Sequence, residues 1–260
     1  MQLRWNELLT ATLTSYAVSA QGATQGLIRN WVILPAAVAL YLGFVFLGFA
    51  LSGLGILGGF ILNILALAAL SLYYHWLSQT VTRQRIRPSD LKDFDVALFF
   101  GVISVSFVLW IATMLVAAVA ESSGTPGLPL MFSLLVIFAC NSLPEVLYLH
   151  RAESVHAFQE SFRFVRDNAI EWYVPLVLVS APFLVLGVET FVLHFASSYP
   201  LLPISMIMEA PRALLSGEWG MIASLGGLVL AHWFMLFRAH LFQALSQGTR
   251  RQRAFLSRQK

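Results

Sequence analysis

Charge is what this 260-residue sequence has least of: Asp, Glu, Lys and Arg make up 11% of it, against 58% hydrophobic residues. A soluble domain carries about 25% of those charged types. With a mean hydropathy of +0.75, too few polar side chains remain to cover a globule in water. Cysteine is nearly absent too. Cys140 stands alone, which excludes an intramolecular disulfide and any zinc site built on several thiolates. No phosphate-binding loop, H-E-x-x-H, G-x-S-x-G or dinucleotide glycine fingerprint occurs, so no catalytic residue and no cofactor is expected. Nor does an apolar run follow a short basic start, so insertion is expected to rely on the first membrane helix rather than a cleaved signal.

What is abundant is the long apolar run. A hydrocarbon layer about 30 Å thick needs around 20 apolar residues per helix. Six stretches qualify: Trp31–Leu51, Leu54–Leu77, Val96–Ala120, Leu128–Leu149, Trp172–Phe195 and Trp219–Leu241. The expected fold is therefore all-α, a polytopic membrane bundle of about six transmembrane helices with amphipathic helices on its cytoplasmic side. Residues 1–30 read as an amphipathic N-terminal segment, 31–245 as the membrane domain and 246–260 as a basic tail. The Gly-rich LSGLGILGG between the first two spans leaves a re-entrant pair as the alternative to two full crossings.

The basic residues sort by loop. Arg4, Arg29, Arg83, Arg85, Arg87, Lys92, Arg151, Arg163, Arg166 and Arg238 fall with the tail residues Arg250, Arg251, Arg253, Arg258 and Lys260 on one side, leaving only Arg212 opposite. Lys and Arg near span ends stay cytoplasmic, so both termini are expected there. The tail, with Phe255 and Leu256 interleaved, suits anionic lipid headgroups rather than nucleic acid. Two basic helix ends echo each other, LSQTVTRQR (77–85) and LSQGTRRQR (245–253). Either hairpin duplication or independent selection for basic ends explains the match.

Between spans four and five, at 152–170, Val155, Phe158, Phe162, Val165 and Ala169 fall on one helical face, and His156, Glu160, Arg163 and Asp167 on another. That is an interfacial helix, lying in the headgroup layer or packed on the ends of the spans. Trp5, Leu9, Leu13, Tyr16 and Ala20 make a weaker copy. The run AFQESFRFVRDN (Ala157–Asn168), followed by Trp172 and a span, resembles the A-x-x-x-S-[WF]-x-x-[VL]-[KR]-x-N segment of bacterial polytopic proteins. These are proteins similar to the membrane domain of glycerophosphoryl diester phosphodiesterases and to the YciC-like inner-membrane family. The resemblance implies a bacterial inner-membrane helical bundle. It transfers no catalytic residue, because the soluble phosphodiesterase domain has no counterpart in this sequence.

Polar residues inside spans each require a reason. Span four ends Asn141-Ser-Leu-Pro144-Glu145, where Pro144 breaks the hydrogen-bond ladder, and Arg238 sits at similar depth on span six. Glu145 and Arg238 are expected either to pair across the two spans or to snorkel separately. His75, His150 and His240 fall near the cytoplasmic ends of the even spans and are candidates for a metal or haem site, or ordinary interfacial residues. His232 and His194 are expected to pack or hydrogen-bond. Asn63 follows Gly55 and Gly59 at intervals of four, a packing seam or part of a polar pathway. Gly226 and Gly227 mark another close contact. Glu189, Glu209 and Glu218 form an external acidic rim. Asp90, Asp93 and Asp95 are spaced like metal ligands, yet Pro88-Ser89-Asp90 also reads as the start of span three.

The expected function is a scaffold or accessory subunit in the bilayer, packed against lipid, a membrane-protein partner or a second copy. The alternatives are a transporter component using Asn141, Pro144, Glu145 and Arg238, and a metal- or haem-binding subunit using the three histidines.

Overall fold

The computed structural model describes residues 5–82, 85–184 and 218–247. Among them every regular element is helical and none is a strand. In order these are α1 (Trp5–Arg29), α2 (Ile33–Leu51), α3 (Gly55–Val81), α4 (Val96–Ser123), α5 (Leu128–Ala139) and the single turn α6 (Leu143–Glu145). A π turn (Val146–His150) continues α6, and α7 (Ser154–Leu184) and α8 (Glu218–Ser246) complete the set. Three stretches are long and apolar enough to cross a membrane: Ile33–Val81, Asp90–Ser123 and Leu225–Ser246. The pair Leu128–Ala139 and Leu143–His150, bent by 56°, adds a fourth. The outer part of the fifth apolar run, with Glu189 and His194, lies outside the described residues, as do Arg212, Glu209 and the tail residues Arg250, Arg251, Arg253, Arg258 and Lys260.

The 49 residues Ile33–Val81 double back on themselves. After the 3-10 turn Ser52–Leu54, Gly55 takes a positive φ of 56°, a conformation that costs glycine nothing. A Cβ on Gly58 would collide with the Leu51 carbonyl oxygen. Ile33, at the start of α2, packs with Trp76, near the end of α3. The two helices therefore run antiparallel as a hairpin.

Helix α8 is the centre. In its most apolar window 61% of residues are buried, against 22% in Asp90–Ser123 and 6% in Ile33–Val81. Its Phe234, Met235, Leu236, Ala239 and Phe242 meet Tyr74 and Leu77 of α3, Val102 and Val105 of α4, Leu143 and Val146 around α6, and Ala157 of α7 in one core. The outer surface is equally apolar, with Phe46, Phe49, Trp110, Met131 and Leu178 all exposed. Such a rind suits lipid and not water.

Helix α1 lies across the bundle. The Tyr16 hydroxyl donates to the Glu171 carbonyl (2.8 Å) on α7, and Trp233 Nε1 on α8 donates to Thr24 Oγ1 (3.0 Å). At its far end Asn30 Nδ2 donates to Thr80 Oγ1 (3.1 Å) on α3, while Asn30 Oδ1 accepts from the Ile86 backbone (3.0 Å). Small residues let it approach closely: a Cβ on Gly22 would stand 3.0 Å from the His240 ring, and one on Gly26 3.0 Å from Thr80. The buried line is Ser19, Ala23 and Gly26. Tyr16 and Ala20 pack beside it, but Leu13, expected on the same face, is exposed. The side chains of Trp5 and Leu9 lie outside the described residues.

Helix α7 splits the expected apolar stripe, of which Val165 is buried and Phe158 packs against the core. Its bundle-facing line is Ala157, Ser161, Phe164, Val165 and Asn168, whereas Val155 and Phe162 are exposed. At 3.6 residues per turn the helix has three faces: a buried one of mostly small residues, a greasy exposed one beside it, and the charged one. Asn168 leaves helical geometry (φ −128°, ψ 22°) and its amide donates to the Phe164 carbonyl (3.0 Å). This side chain competes with the backbone ladder and kinks the helix where the amphipathic half meets the apolar half.

Helix α4 begins at Val96, where the apolar run does, but its cap is not the expected Ser89-Asp90. Asp90 closes a turn of its own, accepting from the Arg87 backbone (2.9 Å) and Ser89 Oγ (2.8 Å). The N-cap of α4 is Asp95, whose Oδ1 accepts from the Leu98 backbone (2.9 Å). At the other end Gly124, with φ 66°, terminates α4 in the left-handed conformation that glycine favours.

Asp95 also ties three segments together. Its Oδ2 lies 2.7 Å from Arg151 Nη1 and 3.6 Å from His75 Nδ1. Partial burial opposes its charge, but the Leu98 N–H, Arg151 and His75 outweigh that and hold the carboxyl below its ordinary value. A depressed carboxyl adds stability above the unfolded pKa, about 3.9, and loses it as pH falls through the folded value. Asp95→Asn, which keeps a cap acceptor, is therefore expected to cost about 1 kcal/mol or less at pH 7, since Arg151 is partly exposed. Melting curves at pH 7 and pH 3 check this: the gap from wild type narrows as the pH falls.

Candidate functional site

The break between α5 and α6 is the chemical centre of the described chain. Cys140, Asn141 and Ser142 leave the helix, and Pro144 in the first turn of α6 can supply no amide hydrogen. An interrupted helix in an apolar setting needs other donors for its carbonyls. Neighbouring helices provide them. The Tyr173 hydroxyl of α7 donates to the Phe138 carbonyl, and Arg238 Nη2 of α8 donates to the Asn141 carbonyl at 2.6 Å.

Arg238 does more than fill that gap. Its Nε donates to Glu145 Oε1 at 2.8 Å and its Nη2 to Glu145 Oε2 at 2.9 Å, a two-point fork. Its Nη1 donates to Asn141 Oδ1 at 2.9 Å, an oxygen that also accepts from Trp172 Nε1 at 3.1 Å. The Trp172 ring lies 4.7 Å from the guanidinium carbon, within cation–π range. Glu145 is 0% and Arg238 3% exposed. One positive charge, one negative charge and both Asn141 oxygens thus close on each other. Ser142 and Ser161 share a hydrogen bond of 2.9 Å beside them, joining α6 to α7.

A second polar link, Tyr73 Oη to His232 Nδ1 at 2.9 Å, joins α3 to α8.

The other candidates are not brought together. His75 contacts Gln79 (2.9 Å) and Asp95, His150 bonds Glu160 and packs edge-on against Phe242, and His240 lies against Gly22 of α1. Among the described residues no three His, Cys, Asp or Glu side chains converge to hold a metal, which removes the shared histidine site and the Asp90, Asp93 and Asp95 cluster. A common depth along three helices does not make the rings face one another. Asn63 is exposed, and Cβ atoms on Gly55 and Gly59 would meet nothing within 4 Å, so this line packs against no described helix of its own chain. Gly226 is open too.

Trp172, Tyr173 and Ser161 are partners in this cluster that reading the sequence for charged groups passes over. Their signal was adjacency: Trp172 and Tyr173 follow directly after the amphipathic run, where a kinked helix re-enters the apolar layer. Comparison with known proteins returns nothing: no family model, no curated protein and no solved structure matches this chain.

Proposed function

We propose that this chain is a multi-pass scaffold or accessory subunit of a bacterial inner membrane, crossing it six times with both termini in the cytoplasm. The observation that carries the structural role is the closure of Arg238, Glu145 and Asn141 on one another, with both charges paired and almost no exposure. Paired in this way, the cluster acts as a tie between α6 and α8 across a broken span. Loop arginines on one side of the apolar runs support the orientation. The likeness of Ala157–Asn168 to the YciC-like segment supports the bacterial setting. Its Ala157, Ser161, Val165 and Asn168 are all buried, as a packing motif requires. The basic tail Arg250–Lys260 then meets anionic headgroups.

A transporter component is the second reading, favoured by the 56° break in the span, since discontinuous helices line many transport sites. Cys140, beside Asn141 and only part-buried, separates the two. In sealed vesicles a charged thiol reagent added to either side is expected to leave Cys140 unmodified, while denaturation exposes it. Rapid modification of the native protein would mean that water reaches the cluster, and would favour transport.

A further inference from the structure

We infer that the corner where α1 ends, α2 begins and α3 ends is a binding site for the headgroup of an anionic phospholipid, held by Arg29, Arg85 and Arg87. This rests on the reading that α2 and α3 cross the bilayer and meet the cytoplasm here. Arg29 and the two loop arginines are far apart in sequence, and Asn30 joins them. Its fully buried amide donates to Thr80 Oγ1 at 3.1 Å and accepts from the Ile86 backbone N–H at 3.0 Å. Ile86 is 4% exposed and packs with Ile33 and Trp76. Burial alternates along this stretch: Arg85 and Arg87 are exposed on either side of Ile86. Arg29, the last residue of α1, is exposed just before the Asn30 clamp. Its Nη2 donates to the Thr80 carbonyl at 3.2 Å, which fixes the guanidinium and leaves Nε and Nη1 for another acceptor.

Charge and surroundings select the occupant. The ion pairs among the described residues use other side chains. In these segments Arg29, Arg85, Arg87 and Lys92 face only Asp90 and Asp93, and the Asp90 carboxylate already accepts from the Arg87 N–H and Ser89 Oγ. Positive charge is left over, on guanidiniums that grip phosphate oxygens two at a time. Apolar surface adjoins them. Ile28 and Trp31, 69% and 65% exposed, flank Arg29 and Asn30, and an indole suits the headgroup level. A ligand that satisfies both needs a phosphate and an acyl chain in one molecule. A soluble acidic protein or a nucleic acid would leave Ile28 and Trp31 in water. Anionic lipids are the molecules of this kind in a cytoplasmic leaflet.

Titration of the full chain in neutral detergent micelles with phosphatidylglycerol, read by native mass spectrometry, tests the site. Arg85→Gln/Arg87→Gln is expected to bind this lipid about tenfold to thirtyfold more weakly than wild type, with no such gap for phosphatidylcholine. Its melting temperature stays unchanged, because both side chains are exposed. Arg163→Gln/Arg166→Gln removes the same charge from the exposed face of α7 and is expected to leave the affinity little changed. Equal losses in the two double variants would mean attraction to the whole surface and overturn the site, as would wild type binding both lipids alike. Trp31 separates this failure from a failure of the membrane reading. Its emission, taken as the difference between wild type and Trp31→Phe, is expected to be quenched by brominated phosphatidylcholine in vesicles. If it is not, the start of α2 lies outside the bilayer and the spanning reading falls together with the site. If it is quenched and the lipid preference is missing, the site alone falls.

Discussion

Glu145→Gln is expected to destabilise the protein by about 3–5 kcal/mol, and Arg238→Gln by a similar amount. Either change leaves a full charge buried in an apolar bundle with no opposite charge. The double variant is expected to lose less than the sum, by about 2 kcal/mol, because removing both charges also removes the penalty of stranding one. It does not return to wild type. Arg238 also donates to the Asn141 carbonyl, which the shorter glutamine at position 238 cannot reach in the same geometry. Arg238→Lys is expected to rescue only partly, since an ammonium cannot form the planar fork that spans both Glu145 oxygens and Asn141. Unfolding of the four variants and the wild type in mixed micelles measures the cycle. Strictly additive losses would mean that the two side chains do not act as a unit.

The readable part of this fold was the part that hydropathy alone dictates. Runs such as Val96–Ala120 are too apolar and too long to be anything but buried or lipid-facing helices. Glu145 and Arg238 drew attention because ionisable groups are scarce within such runs. What remained hidden depended on azimuth. Phe162 and Val155 looked like the packing face of their helix because they are its greasiest residues, yet the bundle accepts Ala157 and Ser161 instead. On this helix Ala157 and Ser161 allow close approach while Phe164 and Trp172 fill the core beside them, an arrangement that hydropathy does not rank. The same ambiguity gathered His75, His150 and His240 by depth, although each turns to a different neighbour. Asp95 was passed over as a cap because Ser89-Asp90 offers the same local chemistry five residues earlier, and the intervening turn is set by Asp90 itself.

The orientation of the loops produces an all-or-none prediction. If six spans cross the membrane, the loop carrying Arg87 and the tail carrying Arg258 share one side, and the turn at Gly124 lies on the other. Moving charged loops to the opposite side would oppose the bias that holds Lys and Arg in the cytoplasm. In a Cys140→Ser background, single cysteines at positions 87, 124 and 258 can be treated on intact cells with a membrane-impermeant thiol reagent. The account predicts modification at 124 alone, with 87 and 258 reacting only after the cells are opened. Modification of 87 or 258 from outside, or no reaction at 124, would contradict it.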